Sequence, residues 1–232
     1  MSNAVVALLS AAGQGTRLGY GTPKALVKIA GRSIIYRAVA AFRKIPEIKE
    51  IFVAIPPGAK REFQDALADF SGVTLVDGGE TRQESVSLGL EEIARRLAYA
   101  AADPFVLIHD AARCFIEPET IQKTIDALKS HRAVTVALPV VDTLKRVDTE
   151  GRVVEAVSRD ALWGVQTPQG FRLSDILAAH FNAKLTQRAV TDDTSLVEGH
   201  FAVHVVAGSR TNFKVTTPED IAMAERIAAS EK

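Results

Sequence analysis

Val5-Val6-Ala7-Leu8-Leu9 runs without a break into Ser10-Ala11-Ala12-Gly13-Gln14-Gly15-Thr16-Arg17-Leu18-Gly19, with Pro23-Lys24 close behind. A continuous apolar run of strand length suits a strand covered by helices on both faces. A glycine-rich turn after such a strand lets backbone N–H groups approach a phosphate closely, and an open sheet places its ligands at the carboxyl ends of its strands. The stretch therefore reads as a phosphate loop. It lacks both the GxGxxG spacing of the dinucleotide fingerprint and the Gly-Lys-Ser/Thr ending of the P-loop, which disfavours hydride carriers and P-loop hydrolysis. Arg17 and Lys24 flank the turn, and two cations there suit the distributed charge of a triphosphate. Taken singly, each is as readily a solvated surface cation.

The same rhythm recurs along the chain. Strand-sized apolar runs are expected at Val5–Leu9, Ile51–Ile55, Val73–Val76, Phe105–His109, Val134–Pro139 and Ala202–Val206. Between them, Ser33–Phe42, Arg61–Phe70, Gln83–Leu97 and Pro118–Leu128 carry apolar residues at helical spacing. A last helix is announced by Thr217 as cap, Pro218 in the first turn and Asp220 near the positive end. This alternation predicts an α/β fold: a single Rossmann-like domain over residues 1–232 with a mainly parallel mixed sheet. One segment breaks the pattern. Residues 140–164 are polar, alternate at Val153-Val154-Glu155-Ala156-Val157 and turn at Glu150-Gly151, which reads as a protruding β-arm or a surface loop.

Composition narrows the function classes. At 232 residues with 47% hydrophobic and 24% charged content the chain has the make-up of a soluble globular protein. Its longest apolar runs are far too short to cross a bilayer, so no membrane partner is expected. The formal net charge of +0 lacks the basic footprint of a nucleic-acid binder. One cysteine, Cys114, and no segment resembling a signal peptide suggest the reducing cytoplasm. The histidines lack zinc-ligand spacing. The sequence ends shortly after the last helix, so no fused second catalytic domain is expected.

Further short blocks follow in order: Asp77-Gly78-Gly79-Glu80-x-Arg82-x-x-Ser85-Val86, His109-Asp110-Ala111-Ala112-Arg113, Asp142-Thr143-Leu144-Lys145, Thr167-Pro168-Gln169, Thr191-Asp192-Asp193 and Asn212-x-Lys214-Val215-Thr216. Gly78-Gly79 alone is an ordinary turn after a strand. Asp110 ends a buried apolar strand, where a carboxylate is costly unless it meets water, a cation or a donor. Mg²⁺ takes oxygen ligands and bridges substrate phosphates, which makes Asp110 a candidate metal ligand; a helix cap or an ion pair with Arg113 are the alternatives.

The first loop with Pro23-Lys24 looks like the signature of the glycosyltransferase-A-like nucleotidyltransferases. The whole ordered set resembles the 2-C-methyl-D-erythritol 4-phosphate cytidylyltransferases of non-mevalonate isoprenoid synthesis, along essentially the whole chain. That resemblance implies transfer of CMP from CTP to a polyol phosphate with Mg²⁺, by in-line attack of the acceptor phosphate on the α-phosphorus and departure of pyrophosphate. It implies catalytic roles for Arg17, Lys24 and Lys214. It places CTP against Ala11, Ala12, Gly13, Gly15, Gly78, Glu80, Ser85, Asp110 and Ala111, and the polyol phosphate against Thr143, Arg159, Thr167 and Thr191. It also implies a homodimer joined through the arm.

The sequence departs from the family at three places. Cys114 follows His-Asp-Ala-Ala-Arg where proline is common, and reads as a small buried hydrophobe. Thr211 precedes Asn212 where some relatives have an acidic residue, and Glu80 replaces a common aspartate. Two rival functions share much of the pattern: a ribitol-5-phosphate cytidylyltransferase, and a catalytically silent nucleotide-binding module. Retention of Arg17, Lys24, Asp110 and Lys214 together argues against the silent module.

Overall fold

The computed structural model describes residues 4–13, 21–97 and 103–230. Along the chain lie β1 (Val5–Ser10), β2 (Lys28–Ile29), β3 (Arg32–Ser33), α1 (Ile34–Arg43), β4 (Ile48–Ile55), α2 (Lys60–Ala66), β5 (Val73–Asp77), α3 (Arg82–Leu97), β6 (Phe105–Asp110) and α4 (Pro118–Leu128). After them come β7 (Ala133–Pro139), β8 (Leu144–Val147), β9 (Val153–Val157), β10 (Trp163–Arg172), α5 (Leu173–Leu185), β11 (Val203–Ala207) and α6 (Pro218–Ser230). Seven strands form one sheet in the order β11-β7-β10-β6-β1-β4-β5. Only β10 runs antiparallel to its neighbours, so the expected mainly parallel mixed sheet is the one observed.

The side-chain alternation of β1 divides the core into two layers. Val5, Ala7 and Leu9 share a cluster with Phe42 of α1, Phe63 of α2 and Ile121 of α4. Val6 and Leu8 face Val86 and Leu90 of α3 and Ile176 of α5. Burying a leucine-sized side chain contributes about 1.5–3 kcal/mol, so a run with both faces covered has no favourable wet register. Gly89 lets α3 lie close on the sheet, because a Cβ there would stand 2.5 Å from Leu8 Cδ1.

The last helix begins as its sequence signals indicate. Asp220 Oδ2 accepts the Thr216 and Thr217 N–H groups at 2.7 and 2.9 Å, and the Asp220 N–H faces Thr217 Oγ1 at 3.4 Å. Ala224 and Ala228 of α6 join Val27, Ile29, Ile34 and Cys114 in a third cluster. Cys114 is the buried small hydrophobe expected of it.

Three expectations are corrected. The helix expected over Arg61–Phe70 ends at Ala66, because the chain turns at Phe70 N–H to Leu67 carbonyl (2.9 Å) and passes through Gly72 at φ 66° to enter β5. β10 and α5 were not expected at all. Gly164 belongs to β10, so the arm within residues 140–164 is the narrower antiparallel pair β8–β9, a separate two-stranded sheet. Its turn is closed by Asp148 Oδ1, which accepts the Glu150 and Arg152 N–H groups at 2.9 Å each, with Gly151 at φ 82°.

Candidate functional site

β1 and β6 lie side by side in register, ending at Ser10 and Asp110. The chain leaves β1 toward β4 on one side and meets β6 on the other, the switch point at which open α/β sheets form ligand crevices. A cleft opens there. It is lined by Ala11, Ala12, Gly13, Lys24, Glu80, Arg82, Ser85, Asp110, Ala111 and Lys214, among others.

One wall is the turn between β5 and α3. The Gly78 N–H donates to the Ile55 carbonyl at 2.7 Å, and a Cβ on Gly78 would stand 2.6 Å from Ala12 Cβ and 2.8 Å from Ser85 Oγ. Only glycine lets the two loops meet this closely. Ser85 Oγ donates to the Thr81 carbonyl at 2.8 Å and accepts from the Gly79 N–H at 3.1 Å. Thr81 caps α3 by accepting the Glu84 N–H at 3.1 Å, and Glu84 reaches back to the Glu80 N–H at 2.9 Å. The wall is thus shaped by the first turns of α3.

The floor is Asp110. Its Oδ1 faces Arg82 Nε at 2.7 Å, its Oδ2 faces Lys214 Nζ at 2.8 Å, and Arg113 Nε stands 4.0 Å away. Burial alone would raise this carboxyl, but the Arg82 and Lys214 charges hold it well below the usual carboxylate range. Arg82 also donates to Asp193 Oδ2 at 2.8 Å. Burial opposes the Arg82 charge, yet Asp193 and Asp110 outweigh it and hold the guanidinium firmly protonated.

Beneath the floor a hydrogen-bonded chain fixes the backbone. The Asp110 N–H donates to Thr167 Oγ1 at 3.0 Å, and Thr167 Oγ1 lies 3.0 Å from His109 Nδ1. His109 Nε2 is 3.1 Å from the Arg113 carbonyl. Burial pushes the imidazole down to about 4, so it is neutral at pH 7. With its proton on Nε2 it donates to Arg113 and accepts the Thr167 hydroxyl, and every member of the chain is satisfied.

A family profile described as 2-C-methyl-D-erythritol 4-phosphate cytidylyltransferase matches residues 5–230. The chain belongs to this family. It is 46% identical over 222 residues to the 2-C-methyl-D-erythritol 4-phosphate cytidylyltransferase of Deinococcus radiodurans, across 95% of this chain and 88% of that protein. Among solved structures it is similar to 4-diphosphocytidyl-2C-methyl-D-erythritol synthase from Anaerococcus prevotii, with TM-score 0.84 and 31% identity over 98% of this chain and 97% of that one. It is also similar to the 2-C-methyl-D-erythritol 4-phosphate cytidylyltransferase of Thermus thermophilus, with TM-score 0.79 and 35% identity over 99% and 100% of the two chains.

Of the site residues expected from the family pattern, Ala11, Ala12, Gly13, Lys24, Glu80, Ser85, Asp110, Ala111 and Lys214 come together around the cleft, with Gly78 directly behind it. Gly15 and Arg17 lie outside the described residues. Thr167 is buried with its hydroxyl turned to Asp110 and His109, which makes it a support of the floor in this structure. Thr143, Arg159 and Thr191 do not line the cleft with Lys24. Arg159 donates through Nη1 to the Val141 carbonyl at the base of the arm. A second groove joins the arm's base to the cleft and is lined by Arg113, Val141, Asp142, Gln166, Arg210 and Lys214.

Arg82 and Asp193 carry no expected role from the sequence, although both stand in quoted family blocks. Their partners are distant in sequence, so no local spacing signals the pairing.

Proposed function

We propose that the chain transfers CMP from CTP to 2-C-methyl-D-erythritol 4-phosphate, giving 4-diphosphocytidyl-2-C-methyl-D-erythritol and pyrophosphate, in isoprenoid precursor synthesis. The observation that carries this reading is the convergence of Lys24, Lys214 and Asp110 with the glycine-lined wall in one cleft at the ends of β1 and β6. An acceptor phosphate oxygen attacks the α-phosphorus in line, an O–P bond forms, and the bond from that phosphorus to the bridging β-phosphate oxygen breaks. The acceptor is already anionic at pH 7, so positioning and charge neutralisation suffice. Ser85, the natural suspect for a nucleophile, spends its hydroxyl on the Thr81 carbonyl.

Lys24, with Arg17, is assigned the triphosphate and the charge that gathers at phosphorus. Lys214 is assigned the acceptor phosphate. The polyol is assigned to the acceptor side of the cleft, with Thr191 on the body, Thr167 supporting the floor through Asp110 and His109, and Thr143 and Arg159 brought in by the arm of a second copy of the chain.

Mg²⁺ is the proposed cofactor. Asp110 already faces two cations, and no group of three or more His, Cys, Asp or Glu among the described residues is placed to hold a metal. This donor set fits an ion carried in on phosphate oxygens, with Asp110 supplying at most one protein oxygen. Bound there, the ion would neutralise phosphate charge.

The chain is read as one domain with an arm, and the arm as half of a dimer contact. Val147, Val153 and Val154 are each more than half exposed, and a two-stranded hairpin needs another surface to pack on. A second copy of the chain is the proposed surface. Among the described residues no helix is long and apolar enough to cross a membrane. A reducing cytoplasm is proposed from the lone buried Cys114.

Pyrophosphate release from CTP with 2-C-methyl-D-erythritol 4-phosphate tests the reading. Parallel runs with D-ribitol 5-phosphate, with ATP or GTP, and with excess EDTA test its parts. Equal rates with the ribitol phosphate would move the acceptor assignment, equal rates with the purines would sink the cytosine assignment, and full activity in EDTA would remove the metal. No release at all would leave a silent nucleotide-binding module.

A further inference from the structure

The first turn of α3 ties together two parts of the molecule that are far apart in sequence. Arg82 donates through Nε to Asp110 at 2.7 Å and through Nη2 to Asp193 at 2.8 Å. Asp110 and Asp193 are only 7% and 1% exposed, so each depends on its partners. Behind Asp193, His180 Nε2 meets its other oxygen at 3.1 Å, and the Asp193 N–H donates to Gln169 Oε1 at 2.9 Å.

The next residue grips the same loop. Gln83 Nε2 donates to the Arg188 carbonyl at 2.9 Å, and Gln83 Oε1 accepts the Val190 N–H at 3.0 Å. The loop that carries Thr191 is therefore tied to α3 on both sides of that residue. The same helical turns hold the opposite, glycine-lined wall through Ser85 and Glu84.

We propose that Arg82 is a positioning residue for the acceptor half of the cleft. By forking between Asp110 and Asp193 it presents Asp110 to Lys214 and sets the Thr191 loop against the cleft. Arg82 and Lys214 pair closely with the carboxylates of Asp110 and Asp193, and Arg113 stands 4.0 Å from Asp110 as a third positive charge. The Arg82 charge is thus taken up by two carboxylates inside the protein. A lysine cannot reproduce the fork, because its ammonium is a single point charge on a flexible stem. The inference rests on the cleft being the site for CTP and the acceptor phosphate.

The test compares Arg82→Lys and Asp193→Asn with the wild type. It measures the equilibrium Kd for CTP, the KM for 2-C-methyl-D-erythritol 4-phosphate, kcat, and thermal unfolding by circular dichroism. Loss of one charge-assisted hydrogen bond should raise the acceptor KM by about tenfold or more, with the CTP Kd held within about threefold. An acceptor KM within about threefold of wild type in folded Arg82→Lys would show that charge alone suffices and would overturn the proposal. So would a CTP Kd that weakens in parallel, since Arg82 would then act on the nucleotide. If Arg82→Lys does not fold, Asp193→Asn decides; if neither folds, the fork is a folding element and the proposal falls. A wild type without pyrophosphate release would instead sink the functional reading, before any variant is compared.

Discussion

Lys214 Nζ lies 2.8 Å from Asp110 Oδ2, on a carboxylate whose other oxygen is held by Arg82 at 2.7 Å. The Lys214 side chain is 38% exposed, against 9% for Asp110. The ammonium thus stands at the opening while its counter-charge sits at the floor, so it can meet an arriving phosphate without leaving Asp110 far behind. Lys214→Ala should therefore raise the KM for the acceptor phosphate more than that for CTP. The opposite order in steady-state kinetics would refute this placement.

Asp110→Asn removes the charge that both cations share. Hydrogen bonds to charged groups are worth about 1.5–3 kcal/mol, so a loss of stability of that order is expected, together with weaker acceptor use. Chemical denaturation and acceptor kinetics on the same preparation check both. Unchanged stability would mean that Arg82 is satisfied by Asp193 alone.

Lys24→Ala and Arg17→Ala should each lower kcat while the fold persists, because their charge matters most as the transition state forms. Removing one preorganised donor of this kind costs about 10²–10³ in kcat. A loss under about threefold in both would return them to solvated surface cations.

The fold was legible where burial writes itself as an apolar run. β1, β4, β6 and β7 are such runs, and each lies inside the sheet. β10 was not, because its buried centre is Gln166, Thr167 and Gln169, whose polar atoms are satisfied by partners elsewhere, as in Gln169 Nε2 to Thr135 Oγ1 at 3.1 Å. α5 was missed because apolar residues circle it: Ile176 is fully buried while Phe181 and Leu185 are 61% and 67% exposed, so no single stripe marks the helix. In the site, Asp110 was legible as a costly carboxylate at a strand end. Arg82 was not, since its two partners lie 28 and 111 residues away.

Gly78→Ala tests the close approach of the two loops. The added methyl would meet Ala12 Cβ at 2.6 Å, a contact that neither backbone can accept without moving. The variant should lose CTP affinity by about tenfold, of the order that a ~1.4 kcal/mol misfit produces, while the acceptor KM changes less. Titration of the variant with CTP alone reads this directly, and wild-type affinity would return Gly78 to an ordinary turn.

The arm carries the last prediction. Thr143 and Arg159 stand beside β8 and β9, away from the residues that line the cleft with Lys24, while three valines of the hairpin lie open. In a two-fold dimer joined through the arms, each cleft would combine Lys24 of one chain with Arg159 of the other. Lys24→Ala and Arg159→Ala proteins should each be nearly inactive alone. Mixed in equal amounts and allowed to exchange subunits, half of the dimers would be mixed, and one cleft in each would be wild type at both positions. About a quarter of normal activity should then return. If exchange is proven by mass and no activity returns, Arg159 serves the cleft of its own chain along the groove at the arm's base, and the arm is left as a dimer contact or a surface hairpin.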